Sequence, residues 1–141
     1  MASSPSFHPE GQWPGETVQA CNARMVSAIA SKKMALAYVE RGDAMRAGPL
    51  FLAAARAGEV ESMEWAAQYS RAIGSDDDAI EWFTRSASAG VRDSMYNLAN
   101  RLVERGLLSD ALGWYKKAAD AGDTDAAAIV DKLRRNASIT D

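Results

Sequence analysis

Two series of glycines recur along the chain of 141 residues with one shared period. Within each series a glycine at position i is followed by others at i+32 and i+64, and the two series alternate evenly. A period of this size is typical of repeat proteins. Because glycine adopts the left-handed backbone angles that end a helix, each half period predicts one helix followed by a turn. The two series are Gly58, Gly90 and Gly122, and Gly42, Gly74 and Gly106.

Small and aromatic residues recur in the same register. A small residue lets two helix backbones approach, and an aromatic side chain fills the space that remains. Alanine is also a strong helix former and runs of β-branched residues are nearly absent, so helices are favoured throughout. The sequence therefore predicts an all-α fold, an α-solenoid of tandem helix–turn–helix repeats over about 26–57, 58–89 and 90–121. The columns are Ala35, Ala67 and Ala99; Ala47, Ala79 and Ala111; and Phe51, Phe83 and Tyr115.

The C-terminal end of the array differs from the repeats before it. Residues 123–136 begin as another first helix, but Asp131 and Arg134 occupy columns that hold small or apolar residues in the repeats. A polar helix of this kind closes the exposed end of a solenoid. The sequence therefore predicts a capping helix over 123–136 within one solenoid domain, 16–141.

The N-terminal part is less regular. Residues 1–15 contain three prolines and two glycines and predict an extended or disordered arm. Residues 16–40 predict two helices broken near Val26, with one long helix as the alternative. Pro49 falls inside an expected helix, so that helix is expected to start at Gly48–Pro49 or to be kinked.

Charge and hydropathy exclude several classes of function. With 16 basic and 19 acidic residues the net charge is −3, and no cluster of Lys or Arg suits a nucleic acid. No apolar stretch approaches the roughly 20 residues that cross a bilayer, and no secretory signal is apparent, so we expect a cytoplasmic protein. Cys21 is the only cysteine, which excludes an internal disulfide and favours a small core residue.

Candidate residues for catalysis are few, and we expect no enzyme, no metal and no cofactor. His8 is the only histidine and lies in the arm, and one His with one Cys cannot build a four-ligand zinc site. The repeated glycines follow helices and do not precede them, unlike a phosphate-binding loop. The run Asp76–Asp77–Asp78 lacks the spacing of a calcium loop, and acidic residues at the N-terminus of a helix explain it better.

A family resemblance rests on three segments of the sequence. LANRLVERGLLSDALGWYKKAADAG, in the third repeat, resembles the tetratricopeptide superfamily, and its WYKKAADAG ending is closest to the Sel-one-like subclass. EWFTRSASAG in the second repeat matches well, and PLFLAAARAG in the first matches loosely. The likeness covers about residues 28–136. The period is shorter than the roughly 34 residues of tetratricopeptide repeats, and the longer loop of many Sel-one-like proteins is missing.

The resemblance implies that the first helices line a concave groove that binds a peptide or a partner domain. Trp65 aligns with Lys33 and Asn97, so it either edges this groove or is partly buried. Where chaperone-binding relatives carry a clamp for a C-terminal carboxylate, only Lys32 matches, which disfavours chaperone tails as partners. The predicted groove residues are Lys32, Leu36, Glu64, Trp65, Gln68, Arg71, Tyr96, Asn100 and Val103.

The leading hypothesis is thus a protein-binding or adaptor module without chemistry of its own. One alternative is a dedicated inhibitor, such as an immunity protein that neutralises a toxin. Another is a structural homo-oligomer formed through the N-terminal arm, with Phe7 and Trp13 inserted into the groove of a second copy.

Overall fold

The structure is a computed structural model that describes residues 13–140, with side chains for residues 13–136. Seven α-helices follow one another in this part of the chain, and it contains no strand. The five central helices have 13 residues each and begin at one regular interval, half of the sequence period. The helices are α1 (Val18–Glu40), α2 (Ala44–Arg56), α3 (Val60–Ala72), α4 (Asp76–Ser88), α5 (Arg92–Glu104), α6 (Leu108–Asp120) and α7 (Thr124–Thr140).

Every turn between consecutive helices has the same construction. A glycine with a positive φ, between 76° and 102°, follows each of α1 to α6. At Gly42 the glycine N–H donates to the Val39 carbonyl at 2.9 Å, and the next N–H, of Asp43, donates to the Tyr38 carbonyl at 2.9 Å. This is the Schellman motif, which satisfies carbonyls left free at a helix end. The predicted role of both glycine series is therefore confirmed.

The chain comprises two compact units, Met1–Arg85 and Ser86–Asp141. In the N-terminal unit α2 packs against both α1 and α3. In the C-terminal unit α6 packs against both α5 and α7. Each unit is thus built from antiparallel helix neighbours joined by short turns, and the single domain over 16–141 stays a prediction.

The alanine and aromatic columns form the cores of both units. In the N-terminal unit Phe51 packs with Ala35 and Ala47, and all three are buried. In the C-terminal unit Tyr115 and Ala111 are buried in the same way. Burying an aromatic side chain of this size contributes about 1.5–3 kcal/mol. The repeat columns and the all-α fold class are confirmed.

Two predictions for the first repeat are wrong. Residues 18–40 form one helix and not two, because this segment contains neither Gly nor Pro and Val26 alone does not end a helix. The second helix begins at Ala44 and not at Gly48–Pro49, since the Asp43 side chain accepts from the Arg46 N–H at 3.1 Å and caps it there. Pro49 lies inside α2, and the alternative that it kinks this helix stays a prediction.

The structure describes the two predicted end segments in part. Of the predicted arm, residues 1–12 lie outside the described residues, and residues 13–15 belong to a turn in which the Glu16 N–H donates to the Trp13 carbonyl at 3.0 Å. The capping helix is longer than 123–136 and runs from Thr124 to Thr140. Asp131 and Arg134 are exposed on it, as a polar cap requires.

Candidate functional site

An apolar cleft lies between the end of α1, the first half of α2 and the second half of α3. Its volume is about 240 Å³, and no residue that lines it carries a charge. Met45 and Ile73 stand at its rim, and both are exposed. Apolar clefts with a few polar groups are typical of ligand sites. The lining residues are Val39, Ala44, Met45, Ala47, Gly48, Phe51, Trp65, Gln68, Tyr69, Ala72 and Ile73.

Two aromatic side chains of α3 shape this cleft. The Trp65 ring stacks on buried Phe51 with 4.8 Å between centroids and planes 6° apart, and Trp65 remains 41% exposed. The Tyr69 ring lies so close to Gly48 that a methyl group there would overlap it. Glycine at this point of α2 therefore makes room for the tyrosine ring. Trp65 thus edges this cleft and is partly buried, and its place in a partner-binding groove stays a prediction.

The C-terminal unit contains a second cleft of about 320 Å³ at the same place in the repeat. Each residue that lines it stands two periods after one that lines the first cleft, as Val103 does after Val39 and Tyr115 after Phe51. Lys132 is its one charged lining residue. The remaining lining residues are Leu108, Ala111, Leu112, Ile129, Leu133 and Asn136.

Several positions that lie one period after the lining residues of the first cleft hold polar residues. Val39, Trp65 and Tyr69 correspond there to Arg71, Asn97 and Arg101. Apolar character at these positions therefore alternates along the array, and a search for columns at a single period does not detect it. A comparison at twice the period would have found Leu108, Leu112, Ile129 and Leu133, which the sequence analysis missed.

The predicted groove residues of the N-terminal unit fall into two groups. Trp65 and Gln68 line the first cleft, whereas Leu36, Glu64 and Arg71 do not. Leu36 and Arg71 are exposed, and Glu64 is half-buried. The structure therefore brings only part of the predicted set together.

Lys32, the remaining predicted groove residue of this unit, joins α1 to the start of α3 through ion pairs. Its Nζ lies 2.9 Å from Glu61 Oε2 and 3.3 Å from Glu59 Oε1. The hydrogen bond from Lys32 to Glu61 and the charge of Glu59 raise the pKa of Lys32. Glu59 in turn accepts from the Ser62 N–H at 2.8 Å and caps α3. Lys32 is thus engaged by two carboxylates of its own chain.

In the C-terminal unit the predicted groove residues surround Tyr115. The Tyr115 hydroxyl donates to Asn100 Oδ1 at 2.5 Å, and the Tyr96 ring packs edge-on at 5.9 Å. Burial, with a smaller contribution from Tyr96, raises the pKa of Tyr115. Val103 lines the second cleft, whereas Tyr96 and Asn100 do not line it but contact Tyr115, which does. Asn100 therefore has a structural partner for its carbonyl oxygen.

The structure describes two of the candidates for catalysis or metal binding, Cys21 and the run Asp76–Asp77–Asp78. Cys21 is half-buried, and its Sγ lies 3.6 Å from Arg24 Nη2. Asp76, Asp77 and Asp78 form the first turn of α4. Among residues 13–140 no group of three or more His, Cys, Asp or Glu side chains is placed to hold a metal ion. His8 lies outside the described residues.

Trp13, which the oligomer hypothesis assigned to a second copy, packs against its own chain. The Arg24 guanidinium lies over the Trp13 ring at 4.1 Å from the centroid, makes two hydrogen bonds of 2.8 Å to Glu16 and donates to the Ala57 carbonyl at the end of α2. Phe7 lies outside the described residues. We call Trp13, Glu16 and Arg24 the N-terminal clasp.

The helices form tandem helix–turn–helix pairs, and this fold is similar to that of tetratricopeptide-repeat structures. In the described part of the chain no helix is long and apolar enough to span a membrane. No model of a known protein family matches the chain, and no curated protein matches it.

Solved structures share this fold at low sequence identity. The N-terminal domain of stress-induced protein-1 (STI-1) from C. elegans is 17% identical with a TM-score of 0.63, covering 80% of this chain and 98% of that chain. The first TPR of Spaghetti (RPAP3), bound to the HSP90 peptide SRMEEVD, is 11% identical with a TM-score of 0.62, covering 81% and 95%. The Yersinia enterocolitica type III secretion translocator chaperone SycD is 16% identical with a TM-score of 0.58, covering 86% and 96%.

Proposed function

We propose that this protein is a non-enzymatic interaction module, or adaptor, that binds a peptide or a partner domain of another protein. The observation that carries the proposal is the first cleft, where the half-exposed Trp65 stands over a lining without charges. Exposed aromatic side chains beside an apolar pocket are typical of the energetic centre of protein interfaces. We assign the primary contact to this cleft.

The comparisons support a protein ligand in general terms. One neighbour of the same fold was solved with a peptide of HSP90, and another is a chaperone of secretion translocators. We extend to this chain only the use of the fold for binding other proteins. The Sel-one-like subclass, which rests on the WYKKAADAG segment, is part of the proposal.

The chemistry of the cleft defines the kind of partner. Lys32, the single residue that matches a carboxylate clamp, already pairs with Glu59 and Glu61. A C-terminal carboxylate would have to displace both. An internal segment that inserts an aliphatic or aromatic side chain beside Trp65 therefore fits better, because its affinity comes from burial of apolar area.

Affinity capture from the native cell tests this assignment with three forms of the protein. The wild type is compared with Trp65→Ala/Ile73→Ser, which changes the cleft, and with Val18→Ser, which changes an exposed apolar residue of the same unit outside it. Circular dichroism establishes that each variant is folded. We expect a partner that the wild type and Val18→Ser retain and the cleft variant loses at least tenfold. A partner bound equally by all three forms would refute the cleft as the binding site.

A further inference from the structure

The first helix exposes a face that every later first helix buries. Ala30 is exposed on α1, and Met34 is 55% exposed. One, two and three periods later, the corresponding residues are at most 5% exposed. The residues that correspond to Ala30 are Ser62, Ser94 and Ala126, and the residues that correspond to Met34 are Ala66, Leu98 and Val130.

This face is the one by which a first helix stacks on the helix before it. In the N-terminal unit Ser62 and Ala66 belong to α3, which packs against α2. In the C-terminal unit Ala126 and Val130 belong to α7, which packs against α6. Among the described residues α1 has no helix ahead of it. Its stacking face is therefore an apolar surface without a partner helix in the described part of its own chain.

The stacking face of α1 is symmetric about Ala30. Ala30 and Met34 stand in a row of five exposed residues on α1, Ala23, Val26, Ala30, Met34 and Ala37, at successive spacings of 3, 4, 4 and 3. Small residues occupy the centre and both ends, and Val26 and Met34, which are 67% and 55% exposed, stand between them. Spacings of 3 and 4 keep these side chains on one face of the helix.

We propose that a second copy of this chain covers this face, with α1 packed antiparallel to α1 of the other copy across a two-fold axis at Ala30. Such an interface is isologous, so residue i meets residue j and residue j meets residue i. With the axis at Ala30, Ala23 faces Ala37 and Val26 faces Met34, each pair occurring twice. Small residues at the crossing allow the two backbones to approach closely, and the larger side chains fill the space beside them.

Charge on and around the face is compatible with this pairing. Arg24 and Lys32 of α1 pair with carboxylates of their own chain. Lys33, at the rim, lies opposite Ser27 of the other copy and not opposite a second lysine. The antiparallel arrangement therefore brings no like charges together.

Head-to-tail stacking of copies is less favourable. The surface of α7, the last helix, exposes Leu133 but also four charged residues, Asp131, Lys132, Arg134 and Arg135. Covering these side chains with the apolar face of α1 would remove charges from water without giving them partners on that face. Self-pairing through α1 leaves α7 exposed and closes the assembly at two copies.

The size of the face sets the expected affinity. A helix of 23 residues is roughly 35 Å long, and one face of it offers less than the roughly 800 Å² per partner of a stable interface. We therefore expect a weak and reversible dimer. It does not depend on the proposed function, since none of the five residues lines the first cleft.

Sedimentation velocity of the full chain over concentrations from roughly 1 to 300 μM tests the dimer directly. We expect a shift from monomer to dimer across this range. Ala30→Glu, which places two like charges at the axis, weakens the dimer at least tenfold, whereas Ala53→Glu, at an exposed alanine of α2, leaves it unchanged. A monomer at all concentrations would overturn the proposal, as would a dimer that Ala30→Glu does not affect.

A charge exchange tests the register. Val26→Glu weakens the dimer, and adding Met34→Lys restores it, because the two substituted positions face each other only between copies. Within one helix they are more than two turns apart and out of contact. Circular dichroism establishes folding of each variant. Failure of the second substitution to restore a dimer that the first has weakened would refute the axis at Ala30. Loss of dimer on deleting residues 1–12, with no effect of the α1 variants, would assign it to the arm instead.

Discussion

Replacing Gly48 by alanine tests the packing of the first cleft at its tightest point. A methyl group at Gly48 would overlap the ring of Tyr69. In an open helix interior the same change is stabilising by about 0.5–1 kcal/mol, because alanine loses less backbone entropy than glycine. Overpacking costs about 1–3 kcal/mol. We therefore expect Gly48→Ala to lower the free energy of unfolding by about 1–2 kcal/mol.

Gly113 offers a matched control. It lies inside α6, and a methyl group there meets nothing within 4 Å. Gly113→Ala should raise the free energy of unfolding by about 0.5–1 kcal/mol. Urea denaturation followed by far-UV circular dichroism measures both variants. We expect Gly48→Ala and Gly113→Ala to change the free energy of unfolding in opposite directions.

A double-mutant cycle separates the Tyr69 ring from the neighbouring proline. Pro49 also crowds residue 48, and this contribution is the same whether or not the ring is present. Gly48→Ala should therefore cost about 1–3 kcal/mol more in the wild type than in the Tyr69→Ala background. An equal effect of Gly48→Ala in both backgrounds would show that the ring does not lie on α2.

Two further predictions concern polar contacts. Hydrogen bonds from the Arg24 side chain and from the Trp13 backbone N–H lower the pKa of Glu16 from 4.5 to about 2. Since the folded state lowers this pKa, the N-terminal clasp stabilises the protein fully above pH 4.5 and loses this contribution as the pH falls towards 2. Glu16→Gln should flatten the pH dependence of the unfolding midpoint in this window, and an unchanged slope would contradict it. Ser86 and Ser94 share a buried hydrogen bond of 2.6 Å, so Ser94→Ala should cost about 1–3 kcal/mol in urea denaturation. Ser86→Ala/Ser94→Ala should cost less than Ser94→Ala alone, and a larger cost would refute the pairing.

The fold could be predicted from the sequence because its causes are local and repeated. Each glycine that ends a helix, and each alanine or aromatic residue of a core column, occurs three times, so one accidental residue does not hide the pattern. The break at Val26 and the start of α2 at Gly48–Pro49 were predicted wrongly, because Val26 and Pro49 each occur in one repeat only. α1 is continuous because its segment contains neither Gly nor Pro, whereas the start of α2 is set by the Asp43 cap.

The candidate site was predicted less completely, for a physical reason. Gly48 of α2 contacts the ring of Tyr69 of α3, and the sequence around either residue does not predict this contact. Lys32, a predicted groove residue, pairs with Glu59 and Glu61 of its own chain. Asn100, another predicted groove residue, accepts a hydrogen bond from Tyr115. The role of a polar side chain depends on which groups it pairs with in the folded chain, and the sequence alone does not show these groups.

The identical glycine turns constrain how such a gene can change in length. Because the turns within and between helix pairs have one geometry, a segment of one full period can be duplicated or lost at any of these glycines without a new junction. Losing half a period would preserve every turn as well, yet it would exchange the two types of helix and place aromatic residues where small ones must pack. We therefore expect gain or loss of whole helix pairs, with the ends of the exchanged segment at the glycine turns, to preserve the packing.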